Sequence, residues 1–147
     1  MRLGLAGPAD TADLAHLLWL NASEQERAAQ SVEDLAVDLA AWWDAGTHLA
    51  VVARVGAEAV GMAWVALVQR PPRPGSVRRL SADLQSVYVV PEHRGGGIGS
   101  SLVEAAVQCA TRLGAARVTV HSGRRAVPVY ERLGFSPSQQ LLQLPSD

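Results

Sequence analysis

Between a β-branched run and an amphipathic helical pattern lies Pro91-Glu92-His93-Arg94-Gly95-Gly96-Gly97-Ile98-Gly99-Ser100, in which four of the five residues from Gly95 to Gly99 are glycine. Upstream, Leu84 to Val90 reads as a strand that Pro91 ends. Downstream, Ile98, Leu102, Val103, Ala106, Cys109, Ala110 and Leu113 fall on one helical face, and Gly114 closes the helix. A strand running through glycines into a helix commits the chain to layers of helix on sheet. Glycines also let backbone amides reach positive φ and approach a ligand closely. The first turn of the helix offers unpaired N–H groups at the positive end of its dipole, an arrangement that binds phosphate. An anionic ligand is therefore expected here.

Lysine decides among the phosphate-binding patterns. All 13 basic residues are arginine, so no lysine can follow the glycines as a Walker loop requires, and lysine Schiff-base or general-base chemistry is excluded as well. A dinucleotide fingerprint counted from Gly95 meets Ser100 where its last glycine belongs, and Arg117 to His121 carries no carboxylate for a ribose. Glycines serving turn geometry alone remain a third reading. At 147 residues, 48% apolar and 18% charged, the chain suits a single domain, 1–147, with a real core. A net charge of −1 gives no global field toward nucleic acid or an anionic membrane, and neither is an expected partner. Cys109 is the only cysteine, which excludes a disulfide framework. The apolar runs are too short to span a bilayer, and Asp10 and Asp13 interrupt any leader-like start, so a cytoplasmic location is expected. No spacing of histidines or carboxylates suggests a metal site.

Along the chain, Arg2 to Leu5 reads as a strand, and Asp10 or Thr11 as the cap of a helix through Leu14, Leu17 and Leu18. Ser31 with Asp34 opens a second helix carrying Leu35, Leu39, Trp42 and Trp43. Thr47 to Arg54 and Glu58 to Val68 form an antiparallel hairpin about Gly56-Ala57. Arg70 to Arg79, with four arginines and three prolines, reads as an exposed loop. Arg117 to His121 is a short strand, Arg125 to Leu133 a short helix, and Phe135 to Leu144 a final strand or hairpin. The expected class is α/β.

Arg94-x-x-Gly97-x-Gly99 after a strand resembles the pyrophosphate loop of the GCN5-related N-acetyltransferase (GNAT) superfamily. Ala126-Val127-Pro128-Val129-Tyr130-Glu131-Arg132-Leu133-Gly134-Phe135, about thirty residues later, resembles that family's helix ending in tyrosine and Gly-Phe. The resemblance covers nearly the whole chain and implies a mixed, mostly antiparallel sheet flanked by helices, with splayed central strands. It implies acetyl-CoA as acetyl donor, with no metal, held at the pyrophosphate by Arg94, Gly95, Gly96, Gly97, Ile98, Gly99 and Ser100. It implies backbone pairing of the pantetheine arm with Val87, Tyr88 and Val89, and an oxyanion held by a strand amide near Val89.

The same resemblance gives Tyr130 the role of proton donor to the departing thiolate. A phenol of pKa about 10 can protonate a thiolate of basicity about 8.5 held close to it. The other reading of Tyr130 is packing, its ring half-buried and its hydroxyl on a carbonyl. Asp83 stands where several family members place a glutamate base, and its other reading is a solvated carboxylate beside the loop arginines. His93 and His121 rank below it. Two departures stand out: Gly123 where the family often has asparagine, and Pro128 inside the helix pattern. The acceptor is a primary amine of a small molecule or of a protein or peptide, acetylated directly, because Cys109 belongs to an apolar helix face. The alternative is a non-catalytic acyl-CoA-binding or regulatory module. Trp19, Trp42, Trp43 and Trp64 read as packing before stacking surfaces, and the Leu141-Leu142-x-Leu144 tail suits a homodimer contact.

Overall fold

The computed structural model describes Met1–Ser146. Its strands are β1 (Arg2–Leu5), β2 (His48–Val55), β3 (Glu58–Arg70), β4 (Arg79–Val89) and β5 (Ala115–Val120). The helices are α1 (Thr11–Asn21), α2 (Glu24–Ala29), α3 (Val32–Trp42), α4 (Ile98–Arg112) and α5 (Val127–Arg132). The strands form one sheet in the order β1-β2-β3-β4-β5, antiparallel throughout except for the parallel β4–β5 pair that α4 connects. The expected mixed, mostly antiparallel sheet flanked by helices is what the chain forms.

β3 lies at the centre of the core, and Val60 to Ala66 are buried without interruption because both faces of the sheet are covered. On one face Trp64 meets Trp42 and Trp43 at ring-centroid distances of 6.0 and 5.2 Å, which places the end of α3 there, packed with α1. On the other face Leu102 of α4 lies over Gly61. Trp43 donates its indole N–H to the His48 carbonyl and Trp64 is buried, whereas Trp42 stays 55% exposed. Arg54 of β2 ties the start of α1 to the sheet through Asp10 at 2.7 Å and Asp13 at 2.8 Å.

Several expectations change. Asp10 precedes α1 but does not cap it: its carboxylate accepts the Gly7 N–H and the Arg54 guanidinium, both of which hold its pKa below the usual carboxylate range. α2 was not anticipated, although Ser23 and Glu26 form a reciprocal capping box that the spacing contains. β4 begins at Arg79, well before Leu84, because β3 continues to Arg70 and supplies the ladder. Phe135 to Leu144 forms no strand. Pro137 lacks a donor, and adjacent Leu141 and Leu142 would point to opposite faces of any strand they joined.

Gly61 is required by close packing. A Cβ there would lie 2.9 Å from Leu102 Cδ1 and 3.1 Å from the Tyr88 carbonyl oxygen, and the latter is backbone that cannot rotate away. Gly61→Ala should cost about 1–3 kcal/mol by overpacking. Gly123→Ala, with nothing within 4 Å, should change stability by less than about 0.5 kcal/mol. Equal urea midpoints for the two variants would contradict this packing.

Candidate active site

β4 and β5 pair from Leu80↔Ala115 to Leu84↔Val120 and then part. β5 ends at Val120, whereas β4 runs on to Val89 beside β3, so Gln85 to Val89 have no strand on their outer edge. The parting coincides with a bulge. Met62 pairs with Tyr88 and Trp64 with Gln85, so three steps of β4 match two of β3, and Ser86 takes φ 51°. Such an extra residue bends and twists its strand, and a non-glycine residue at positive φ persists only where its surroundings enforce it. Beyond the bulge the Val90 N–H donates to the Val60 carbonyl at 2.9 Å. Gly61↔Val89 is therefore the pair that exchanges no bonds, and the N–H and C=O of Val89 point into the opening.

The glycine stretch follows a single 3₁₀ turn, Pro91–His93. Gly95 and Gly97 take φ 86° and 85°, and Gly97 precedes α4 with no side-chain cap. The N–H groups of Ile98, Gly99 and Ser100 consequently emerge from the first turn without a capping side chain. A Cβ on Gly99 would meet Val89 Cγ2 at 3.7 Å, so this helix start sits directly against the end of β4. Arg94 folds back over the strand. Its Nε donates to the Val89 carbonyl at 2.8 Å, and its guanidinium lies 5.4 Å from the centre of the Tyr88 ring. The turn from Arg94 to Ser100 is thus joined to the end of β4 through Arg94 at Tyr88 and Val89 and through Gly99 at Val89.

Asp83 lies at the closed end of the parting, paired with Thr119 across the strands. The Thr119 hydroxyl donates to its Oδ1 at 2.8 Å and Gln85 Nε2 to its Oδ2 at 3.1 Å. The carboxylate is therefore held in place and is not merely solvated. Tyr130 is half-buried on α5, its ring edge-on to Phe135 at 5.5 Å, and burial pushes its phenol pKa up. It lines a groove of about 1300 Å³ with Thr119, Val120, His121 and the end of α4. Asp83 and the glycine turn do not line that groove, and Thr119 is the link between the two regions. His93 and His121 make no side-chain hydrogen bond among the described residues. Pro128 causes no break, because α5 begins one residue before it. No group of three His, Cys, Asp or Glu among the described residues is arranged to hold a metal ion, and no helix among them is long and apolar enough to cross a membrane.

The mixed sheet thus opens beside a glycine-rich helix start, with a carboxylate on β4 and a phenol on α5. The Acetyltransferase (GNAT) family pattern matches residues 12–135, and the chain belongs to that family. Its fold is similar to an acetyltransferase from Trypanosoma brucei at TM-score 0.75 and 21% identity, covering 99% of each chain. It is likewise similar to a ribosomal-protein-alanine N-acetyltransferase from Brucella melitensis biovar Abortus 2308, at TM-score 0.75 and 17% identity over 99% of this chain and 100% of that one. A predicted acetyltransferase from Clostridium acetobutylicum, in a crystal structure with acetyl-CoA, matches at TM-score 0.72 and 15% identity over 98% and 95%. At these identities the likeness is one of fold. A glucosamine 6-phosphate N-acetyltransferase from Trypanosoma brucei brucei is 29% identical over 66 residues, and the match spans 45% of this chain and 45% of that relative.

Three site features escaped the sequence reading. The bulge at Ser86 carries no glycine to announce it. Thr119 acts through a cross-strand register that only the fold defines, and the Arg94 staple depends on where the strand ends. Gly97→Ala tests the turn: at φ 85° a side chain costs about 1–2 kcal/mol although its Cβ would meet nothing within 4 Å. An unchanged denaturation midpoint would show that the turn relaxes without cost.

Proposed function

We propose that this protein transfers the acetyl group of acetyl-CoA directly to a primary amine. The observation that carries the reading is the parted edge of β4, where the outward-facing Val89 N–H stands beside the uncapped start of α4. A chain with phosphates at one end and amides along its arm matches both features: helix-terminal N–H groups for pyrophosphate, and an open strand edge for an extended arm. Gly95 to Ser100 supply the first, and Val87 to Val89 the second.

In this reading Asp83 takes one proton from the acceptor ammonium, because only the neutral amine has a lone pair for the thioester carbonyl. Its bonds from Thr119 and Gln85 fix its direction. The amine nitrogen bonds to the carbonyl carbon, and the oxyanion is stabilised by the Val89 N–H. Collapse breaks the C–S bond while Tyr130 protonates the sulfur, and the remaining proton shed by the new amide nitrogen restores the phenol. Burial raises the Tyr130 pKa, so the phenol stays protonated over the whole neutral range. The cytoplasm is the setting this reading assumes. We also infer a homodimer, in which a second copy covers the exposed Leu141, Leu142 and Leu144; a monomer in sedimentation would remove that inference.

Tyr130→Phe should lower kcat on the order of 10²-fold, the lower range for a general acid, with CoA affinity retained. A phenol with a raised pKa loses its proton only as pH climbs through that raised value. Any alkaline loss of activity due to Tyr130 should therefore begin above about pH 10. Wild-type turnover in Tyr130→Phe removes it from the chemistry. Saturable CoA binding with no turnover over amines and peptides would favour the binding-module alternative, which the glycine at position 123 also allows.

A further inference from the structure

The β3–β4 register is regular from Trp64↔Gln85 to Arg70↔Arg79, so Gln85, Asp83, Ser81 and Arg79 share one face of the sheet with Trp64, Ala66, Val68 and Arg70. This is the face that carries α1 and α3, opposite α4 and its glycine turn. Arg70 and Arg79 are direct cross-strand partners, and like charges placed opposite each other destabilise a sheet. Arg73 and Arg78 extend the cluster into the connecting loop. None of these four has a carboxylate partner among the described residues, where both ion pairs belong to Arg54. Arg79 spends one donor on the Pro71 carbonyl and keeps the rest of its guanidinium free. Burial, then Arg73 and Arg70, push its pKa below the usual arginine value, as expected for cations crowded without a counter-charge.

Between this cluster and Asp83 lies an open strip. β2 stops at His48, opposite Ala66, so no strand flanks β3 beyond that point, and Val68 is 47% exposed. Four residues separate Asp83 from Arg79, about 13–14 Å at the rise of an antiparallel strand. An extended peptide has the same rise. With its terminal amine at Asp83, its third to fifth residues would lie within reach of Arg70 and Arg79.

Resting on the acetyltransferase reading, we infer that the acceptor is the free N-terminus of a peptide or protein segment carrying acidic side chains at its third to fifth positions, laid along the β3–β4 strip toward Arg70 and Arg79. The carboxylate of Asp83 draws the ammonium to one end of the strip, and the guanidinium groups receive the acidic side chains at the other. The charges therefore set the direction of the peptide as well as its composition. An amino-sugar phosphate carries both charges on a single ring and is too compact to lie along the strip.

Thiol release at low salt would be compared for a pentapeptide with a free N-terminus and glutamates at positions three to five, the same peptide with glutamines, and glucosamine 6-phosphate. The glutamate peptide should have a kcat/KM about five- to tenfold higher than the glutamine peptide, carried by KM. That ratio should fall toward one in Arg70→Gln and in high salt, which screens exposed charges. Arg79→Gln should act in the same direction, and Arg70→Gln keeps the test valid if loss of the Pro71 contact unfolds the hairpin. Equal rates for the two peptides, a ratio indifferent to Arg70→Gln, or a clear preference for glucosamine 6-phosphate would each overturn this acceptor while leaving the acetyltransferase reading intact. Turnover with no amine at all would overturn both.

Discussion

The separation of β4 from β5 after Leu84 and Val120 is the constraint on which the rest of the site depends. While two strands stay paired, their inner N–H and C=O groups are consumed by each other. Once they part, β4 retains β3 as partner on one side and has no strand on the other, where the Val89 carbonyl accepts from Arg94. The extra residue at Ser86 twists β4 at that point, and Gly61 lets α4 press close enough to hold the bent strand from behind. Asp83 lies on the paired side of the fork and Val89 on the open side. The bulge at Ser86 lies between them, and Val89 follows Asp83 by six residues along β4.

In the proposed reading the glycine turn forms an anion site in a chain with no lysine and a net charge of −1. Peptide dipoles at a helix start carry the positive potential, so the site needs no basic patch. Even Arg94, the one cation in the turn, is committed to the Val89 carbonyl and the Tyr88 ring. It braces the strand end against the loop. Arg70, Arg73, Arg78 and Arg79 lie elsewhere, at the far end of the β3–β4 hairpin.

Much of this was legible in the chain because local chemistry dictated it. Gly95 and Gly97 occupy positive φ, Gly114 and Gly134 do the same after α4 and α5, and the apolar face of α4 lands on the sheet as its spacing requires. The hairpin about Gly56 formed for the same reason. What could not be read depends on partners distant in sequence. The length of β4 is set by β3, and the role of Thr119 by a parallel register across 36 residues. α2 is different: its capping box was present in Ser23 and Glu26, but its six residues carry no buried side chain and so no apolar period to draw attention.

The central claim is that the open edge of β4 and the first turn of α4 together hold the acetyl donor. Residue-resolved amide hydrogen exchange, with and without saturating acetyl-CoA, tests it most directly. New protection is expected at Val87 to Val89 and Gly95 to Ser100, with Leu141 to Leu144 unchanged. Protection confined to the groove between β5 and α5, or none at a concentration where calorimetry shows binding, would contradict it.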